Sequence, residues 1–177
     1  MDQEAVGVAH FDNYGLAPFG VYEEDLASIG SEMIFYNDKE LAPGVFGMLN
    51  FDGGNESASD LKEWTADGWD EKVIIDPDDG YVKFDGSTGL KSSISQPAGD
   101  HIETGDVVVG CIYSNVEGKS GDASFYVTGF VSMTITEQKL VDEEYEYIKG
   151  RVEGVYMGDT GETLGNMHKT VRLHLAE

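Results

Sequence analysis

Four aspartates that lie close together in the chain offer a set of ligands for a metal ion. Asp76, Asp78 and Asp79 precede Gly80, and Asp85 follows five residues later. Carboxylate oxygens are preferred ligands of calcium, and a glycine lets the chain turn sharply around the ion. The spacing does not fit an EF-hand, because the twelfth residue counted from Asp76 is a serine and not a glutamate. We interpret the segment as an acidic hairpin turn, with calcium bound by the four aspartates as the alternative.

Other motifs that carry chemistry do not occur in the sequence. The four histidines are dispersed and show no zinc-site spacing. The chain contains neither a Gly-x-Ser-x-Gly elbow nor a Walker loop. Any two of its 34 acidic residues could serve as a glycosidase pair, but no pattern selects which two. We therefore predict a protein that is not an enzyme and has no cofactor apart from the calcium alternative, with a carboxylate-based hydrolase as a third hypothesis.

The single cysteine, Cys111, lies in an apolar segment with the alternation of a β-strand. Alternation places it on the same face as Val107, Val109 and Tyr113. A nucleophilic thiol needs a nearby base or an electropositive environment, and this segment supplies neither. The pattern predicts a buried structural thiol.

The charge balance limits the classes of partner. The net charge is -23, from 34 acidic and 11 basic residues, so the chain repels phosphate backbones and anionic lipids. We expect no nucleic-acid partner. No apolar run approaches the ~20 residues that cross a bilayer, so we expect no membrane insertion by this segment. The acidic residues are spread along the chain, which is typical of a solvated surface in a secreted or salt-exposed protein, with cation binding as the alternative.

The hydrophobic pattern predicts a mainly β protein. Residues 1–16 are weakly patterned and indicate a tail or an edge strand, whereas residues 17–177 fit a single β-rich domain. The longest predicted strand is Ser124 to Thr136, in which Gly129 marks a bulge, a bend or a close approach of backbones. Its predicted buried face consists of Phe125, Val127, Val131, Met133 and Ile135.

Two short helices are predicted beside the strands. The first covers about residues 21–29, because three acidic residues begin it and Gly30 follows it. The second covers about residues 57–67, with Ser57 as N-cap and Gly68 as the stop. The predicted fold class is a single-domain antiparallel β-sandwich or partly open barrel that carries one or two such helices.

Several short glycine-containing segments occur in an order that resembles the extracytoplasmic region of TadE/TadG-like proteins, which are associated with Flp or tight-adherence pili. The segments are Ala17 to Val21, Pro43 to Leu49, Asp52 to Gly54, the helix that ends at Gly68, the strand at Val107, Val127 to Val131, Tyr147 to Val152 and Val171 to Leu175. The resemblance covers most of the chain, from Ala17 to Leu175.

The resemblance implies a non-enzymatic structural or assembly component that is extracellular or at the cell surface. Its implied partners are other envelope or pilus proteins, and its implied anchor is an N-terminal transmembrane helix that is not in this chain. The alternative hypothesis is a secreted calcium-dependent or carbohydrate-binding β module. An exposed row formed from Trp69, Tyr126 and Phe130 would favour contacts with sugars or proteins, whereas buried rings would belong to the core.

Overall fold

The computed structural model describes residues 7–11, 16–37, 46–51, 63, 73–75, 78–88, 103–118, 123–139, 147–157, 162–165 and 171–175. The described residues form eleven strands and one 3-10 helix, so the prediction of a mainly β protein is confirmed. The strands are β1 (Gly7–Phe11), β2 (Leu16–Tyr22), β3 (Glu32–Asn37), β4 (Phe46–Asn50), β5 (Val73–Ile75), β6 (Val82–Thr88), β7 (Val107–Glu117), β8 (Ala123–Lys139), β9 (Tyr147–Met157), β10 (Glu162–Gly165) and β11 (Val171–Leu175).

Eight of these strands form the main sheet, which is organised around β8. This strand pairs with β7 on one side, and on the other side first with β6 and then with β9. From β6 the pairings continue through β4 and β2 back to β7. Strand β9 also pairs with β3 and β10. The sheet as a whole is not closed into a barrel. Among the described strands only β2 and β7 pair in parallel, so the sheet is mixed and not purely antiparallel.

A second sheet has three strands in the order β11, β1, β5. Strand β1 pairs with β11 along five residues and with β5 along three. Residues 7–11 therefore form the inner strand of this sheet, and not the tail or edge strand that the sequence indicated. The pairing of β1 with β11 joins opposite ends of the chain, and a local pattern carries no signal for such a contact.

The core lies along the middle of the three longest strands. The predicted buried face of β8 is confirmed, since its five apolar residues are at most 1% exposed. The burial extends to both faces at the centre, where all residues from 108 to 113, from 129 to 133 and from 154 to 156 are buried. Strands that are covered on both faces lose the strict alternation of a half-exposed sheet.

The predicted helix over residues 21–29 is wrong. Strand β2 continues to Tyr22, and only Glu23–Asp25 form a 3-10 helix of three residues. Val21 is fully buried and pairs with β4 and β7, so tertiary packing outweighs the weak tendency of a short segment to form a helix. Gly30 does adopt a positive φ of 88°, but it ends a turn in which its N–H donates to the carbonyl oxygen of Val152. The predicted helix over residues 57–67 lies outside the described residues except for Glu63, which is helical.

Candidate functional site

Three of the four aspartates of the calcium hypothesis lie among the described residues, and these three are not placed to share a metal ion. Asp78 and Asp79 are exposed in a turn before Gly80, whose φ is 76°. Asp85 lies well along β6, since three residues of extended strand after Val82 cover about 10 Å. Asp76 lies outside the described residues.

The described residues contain no group of three or more His, Cys, Asp or Glu side chains placed to share a metal ion. A calcium site at the turn that includes Asp76 stays a prediction.

Asp85 belongs instead to a group of polar and aromatic side chains on the outer face of β6, β7 and β8. We name this group, formed by Tyr81, Lys83, Asp85, Glu117 and Tyr126, the tyrosine patch. Its residues from β6 alternate with Val82 and Phe84, which pack against the core. Three of its members are exposed and the two tyrosines are half-buried. The patch is therefore open to solvent while its backbone is fixed by three paired strands.

The two tyrosines of the patch are in direct contact. The ring centroids of Tyr81 and Tyr126 are 4.8 Å apart at an angle of 72°, which is an edge-to-face arrangement. The Nζ atom of Lys83 lies 5.5 Å from the centroid of the Tyr126 ring, within the range of a cation–π interaction. Cross-strand pairing explains the second contact, because Lys83 and Tyr126 are opposite each other in the register of β6 and β8.

Carboxylates surround these rings. A hydrogen bond to Glu117 is the main cause that raises the pKa of Tyr126, with smaller effects of burial and of the charges of Glu117 and Tyr81. The Oγ atom of Ser124 donates to Oδ1 of Asp85 across 3.1 Å. The patch thus presents aromatic faces, one ammonium group and two carboxylates within a small area.

Of the other aromatic residues named as surface candidates, Phe130 does not extend this row. Phe130 is fully buried and stacks on Tyr156, with ring centroids 6.2 Å apart. Trp69 lies outside the described residues. The prediction that buried rings belong to the core therefore applies to Phe130, whereas Tyr126 is partly accessible.

The prediction of a buried structural thiol at Cys111 is confirmed. The side chain is fully buried, and burial raises the pKa of the Cys111 thiol. Cys111 opposes Phe130 on β8, but Tyr113 opposes Val127 because the register shifts between Ile112 and Tyr113. The extra residue of this shift lies on β8, whereas residues 111–113 of β7 pair without a shift with residues 20–22 of β2, so the predicted alternation of Cys111 and Tyr113 is kept.

Tyr113 lies in the interior beside two other aromatic rings. Its ring centroid is 5.0 Å from that of Phe125 and 5.6 Å from that of Tyr22. Burial raises the pKa of Tyr113 to about 12, with smaller contributions from the nearby charge of Asp25 and from Tyr22. The hydroxyl of Tyr113 thus stays protonated at neutral pH.

A second polar network covers the outer face of β8 and β9. The hydroxyl of Tyr147 donates to Oε1 of Glu137 across 2.7 Å, and Nζ of Lys149 lies 3.7 Å from Oε2 of the same carboxylate. Further along β9, Nε of Arg151 donates to Oε1 of Glu153 across 2.9 Å. The first ion pair joins β8 to β9 and the second lies within β9, so this face neutralises part of the local acidity.

This network predicts a measurable pH effect at Glu137. The hydrogen bond from Tyr147 is the largest cause that lowers its pKa, followed in the same direction by the charges of Lys149 and Lys139. A lowered carboxyl pKa stabilises the fold above the usual pKa of glutamate, and this contribution is lost as the pH falls through the lowered value. We expect Tyr147→Phe to raise the pKa of Glu137, as measured by NMR titration of its carboxyl carbon. The matched control is Tyr126→Phe, which leaves that titration unchanged, and an unaltered Glu137 pKa in Tyr147→Phe would contradict the assignment.

The fold and the patch define a mainly β protein with an open, aromatic and acidic outer face. No protein-family model, curated protein or solved structure matches the chain. The resemblance to TadE/TadG-like proteins therefore stays a prediction. In the described segments, no helix has the length and apolarity needed to span a membrane.

Proposed function

We propose that the protein is a non-enzymatic structural or assembly component of a bacterial cell surface, as the resemblance to TadE/TadG-like proteins implies. The observation that carries the proposal is the construction of β7, β8 and β9. These strands contain 11, 17 and 11 residues, whereas a typical strand contains about five or six. Their central residues are buried on both faces. Such a unit supplies a stiff scaffold on which an exterior surface is displayed.

The hydrogen-bond geometry supports a role in which the protein resists force. In antiparallel pairs the hydrogen bonds run perpendicular to the strands. A force along β8 therefore acts on many bonds together, because β8 pairs with β7 over Ser124 to Thr134 and with β9 over Gly129 to Lys139. The net charge of -23 supports exposure to solvent, since like charges keep such surfaces dispersed.

Cell fractionation tests this proposal. An antibody against the protein is used on intact source cells, on sheared surface material and on the cytoplasm. We expect the protein in the envelope or sheared fraction, degraded by protease added to intact cells and cross-linked to other envelope or pilus proteins. The matched control is a deletion strain, which gives no signal in any fraction. A protein found only in the cytoplasm, and protected from added protease, would refute the proposal.

A further inference from the structure

Residues 23–31 join β2 to β3 as an irregular segment on the outside of the sheet, which we name the acidic strap. The strap begins with the 3-10 helix Glu23–Asp25, which contacts β7. In its middle, Leu26 and Ala27 pack against the core, but seven of its nine residues are exposed. Segments with so few buried apolar contacts are the ones that open locally while the rest of a protein stays folded.

Backbone hydrogen bonds fasten the far end of the strap to β9. The N–H of Gly30 donates to the carbonyl oxygen of Val152 across 2.7 Å, and the N–H of Val152 donates to the carbonyl oxygen of Ser31 across 2.9 Å. At the near end, the Tyr22 ring stacks on the buried Tyr113 ring. Opening of the strap would break the two bonds to Val152 without disturbing the pairing of β7 with β8.

The charge of the strap opposes these contacts. Glu23, Glu24 and Asp25 are consecutive and exposed, and the 3-10 helix contains no basic residue. The charge of Glu24 is the largest cause that raises the pKa of Tyr22, so the field of these carboxylates reaches the ring beside them. The whole chain carries -23, and moving three carboxylates away from the body of the protein therefore reduces repulsion.

Dissolved salt changes the balance between contacts and repulsion. The Debye length is about 30 Å at 0.01 M salt and about 3 Å at 1 M. Repulsion between the strap and the rest of the chain thus acts in dilute solution and is screened in concentrated salt. Arg151 lies opposite Glu32 just beyond the strap, but its guanidinium group already pairs with Glu153. Mobile cations of the solution are therefore what offsets the charge of the strap.

We infer that the acidic strap is a salt-dependent closure, which lies against β7 and β9 in saline solution and opens in dilute solution while the long strands stay paired. Opening exposes Leu26 and Ala27 together with the core surface that they cover. This inference goes beyond a structural role and does not depend on where the protein is located.

Amide hydrogen exchange followed by NMR tests the inference. The protection of the Gly30 and Val152 amides is compared between about 1 M and about 0.01 M sodium chloride. We expect protection to fall about tenfold or more in the dilute solution, because the strap opens more often.

A second loop provides matched reporter amides in the same samples. The N–H of Gly105 donates to the carbonyl oxygen of Ile135, and the N–H of Ile135 donates to the carbonyl oxygen of Asp106, both across 2.8 Å. This is the same pattern of two bonds between a loop and a long strand. We expect the protection of the Gly105 and Ile135 amides to change by less than about threefold.

A triple variant assigns the salt effect to the strap. Its substitutions are Glu23→Gln, Glu24→Gln and Asp25→Asn. It removes three charges and keeps the size of the side chains, so we expect the two strap amides to stay protected in dilute solution. The matched control removes three exposed charges outside the strap and keeps the salt effect; its substitutions are Asp78→Asn, Asp79→Asn and Asp85→Asn.

Three results would refute the inference. They are equal protection of the strap amides in dilute and concentrated salt, an equal fall at Gly105 and Ile135, and an equal effect of the two triple variants. Protection that sodium chloride restores and potassium chloride does not would also refute it, because screening does not distinguish two monovalent cations.

Discussion

Replacing Gly129 by alanine is expected to lower the free energy of unfolding by about 3 kcal/mol. A Cβ atom at this position would collide with the carbonyl oxygen of Tyr156 on β9, and it would lie 3.2 Å from Sδ of Met157. The nearer obstacle is backbone in a paired strand, so it cannot move aside without breaking the ladder between β8 and β9. Thermal denaturation should show a decrease in Tm of about 6–12 °C.

Gly110→Ala is the matched control for this prediction. Gly110 is also a buried strand glycine on a neighbouring strand, but its Cβ would lie 3.2 Å from the carbonyl oxygen of Phe19 and 4.0 Å from Cγ1 of Val131. Small shifts relieve this contact, and alanine in a strand also costs less backbone entropy than glycine. We expect a change of less than about 1 kcal/mol. Equal Tm values for the two variants would show that β8 and β9 are not as close as the structure has them.

Local patterns in the sequence were sufficient to predict the centre of this fold. The alternation in β8 gave its buried face correctly, and the three alternatives given for Gly129 included the close approach of backbones that the structure shows. The prediction of a helix over residues 21–29 was wrong, because the acidic residues and Gly30 indicate where the chain turns but not whether a helix or a strand precedes the turn. The sheet formed by β1, β5 and β11 could not be predicted, since its pairs depend on contacts between distant residues.

The candidate site was predicted only in part. Asp85 was selected for its charge and grouped with Asp78 and Asp79 by closeness in sequence, whereas strand register and a hydrogen bond pair it with Ser124. A weak signal was present in the alternation of Tyr81, Lys83 and Asp85 with apolar residues, which indicates one outward face. Sequence alone did not show which strand lies beside that face. The register shift after Ile112 lies beside Gly129, where a bulge was one of the predicted alternatives, but its size depends on both strands and could not be predicted from either alone.

Replacing Phe125 by alanine is expected to have the largest effect on stability. The side chain is fully buried on β8 and contacts the Tyr113 ring edge-to-face at 5.0 Å. Its neighbours in register are Phe84 on β6 and Val116 on β7, so the ring fills the space between three strands. Because paired backbones limit collapse of the cavity, we expect a loss of about 4 kcal/mol. Thermal denaturation should show a decrease in Tm of about 8–16 °C.

The adjacent residue supplies the control for this prediction. Tyr126→Ala removes an aromatic ring of similar size from the opposite face of the same strand, where it is half-exposed and contacts Tyr81 and Lys83. Little apolar surface returns to water there and no cavity forms, so we expect a loss of about 1 kcal/mol. Chemical denaturation of both variants measures the difference directly. Equal losses would contradict the assignment of Phe125 to the core and Tyr126 to the surface.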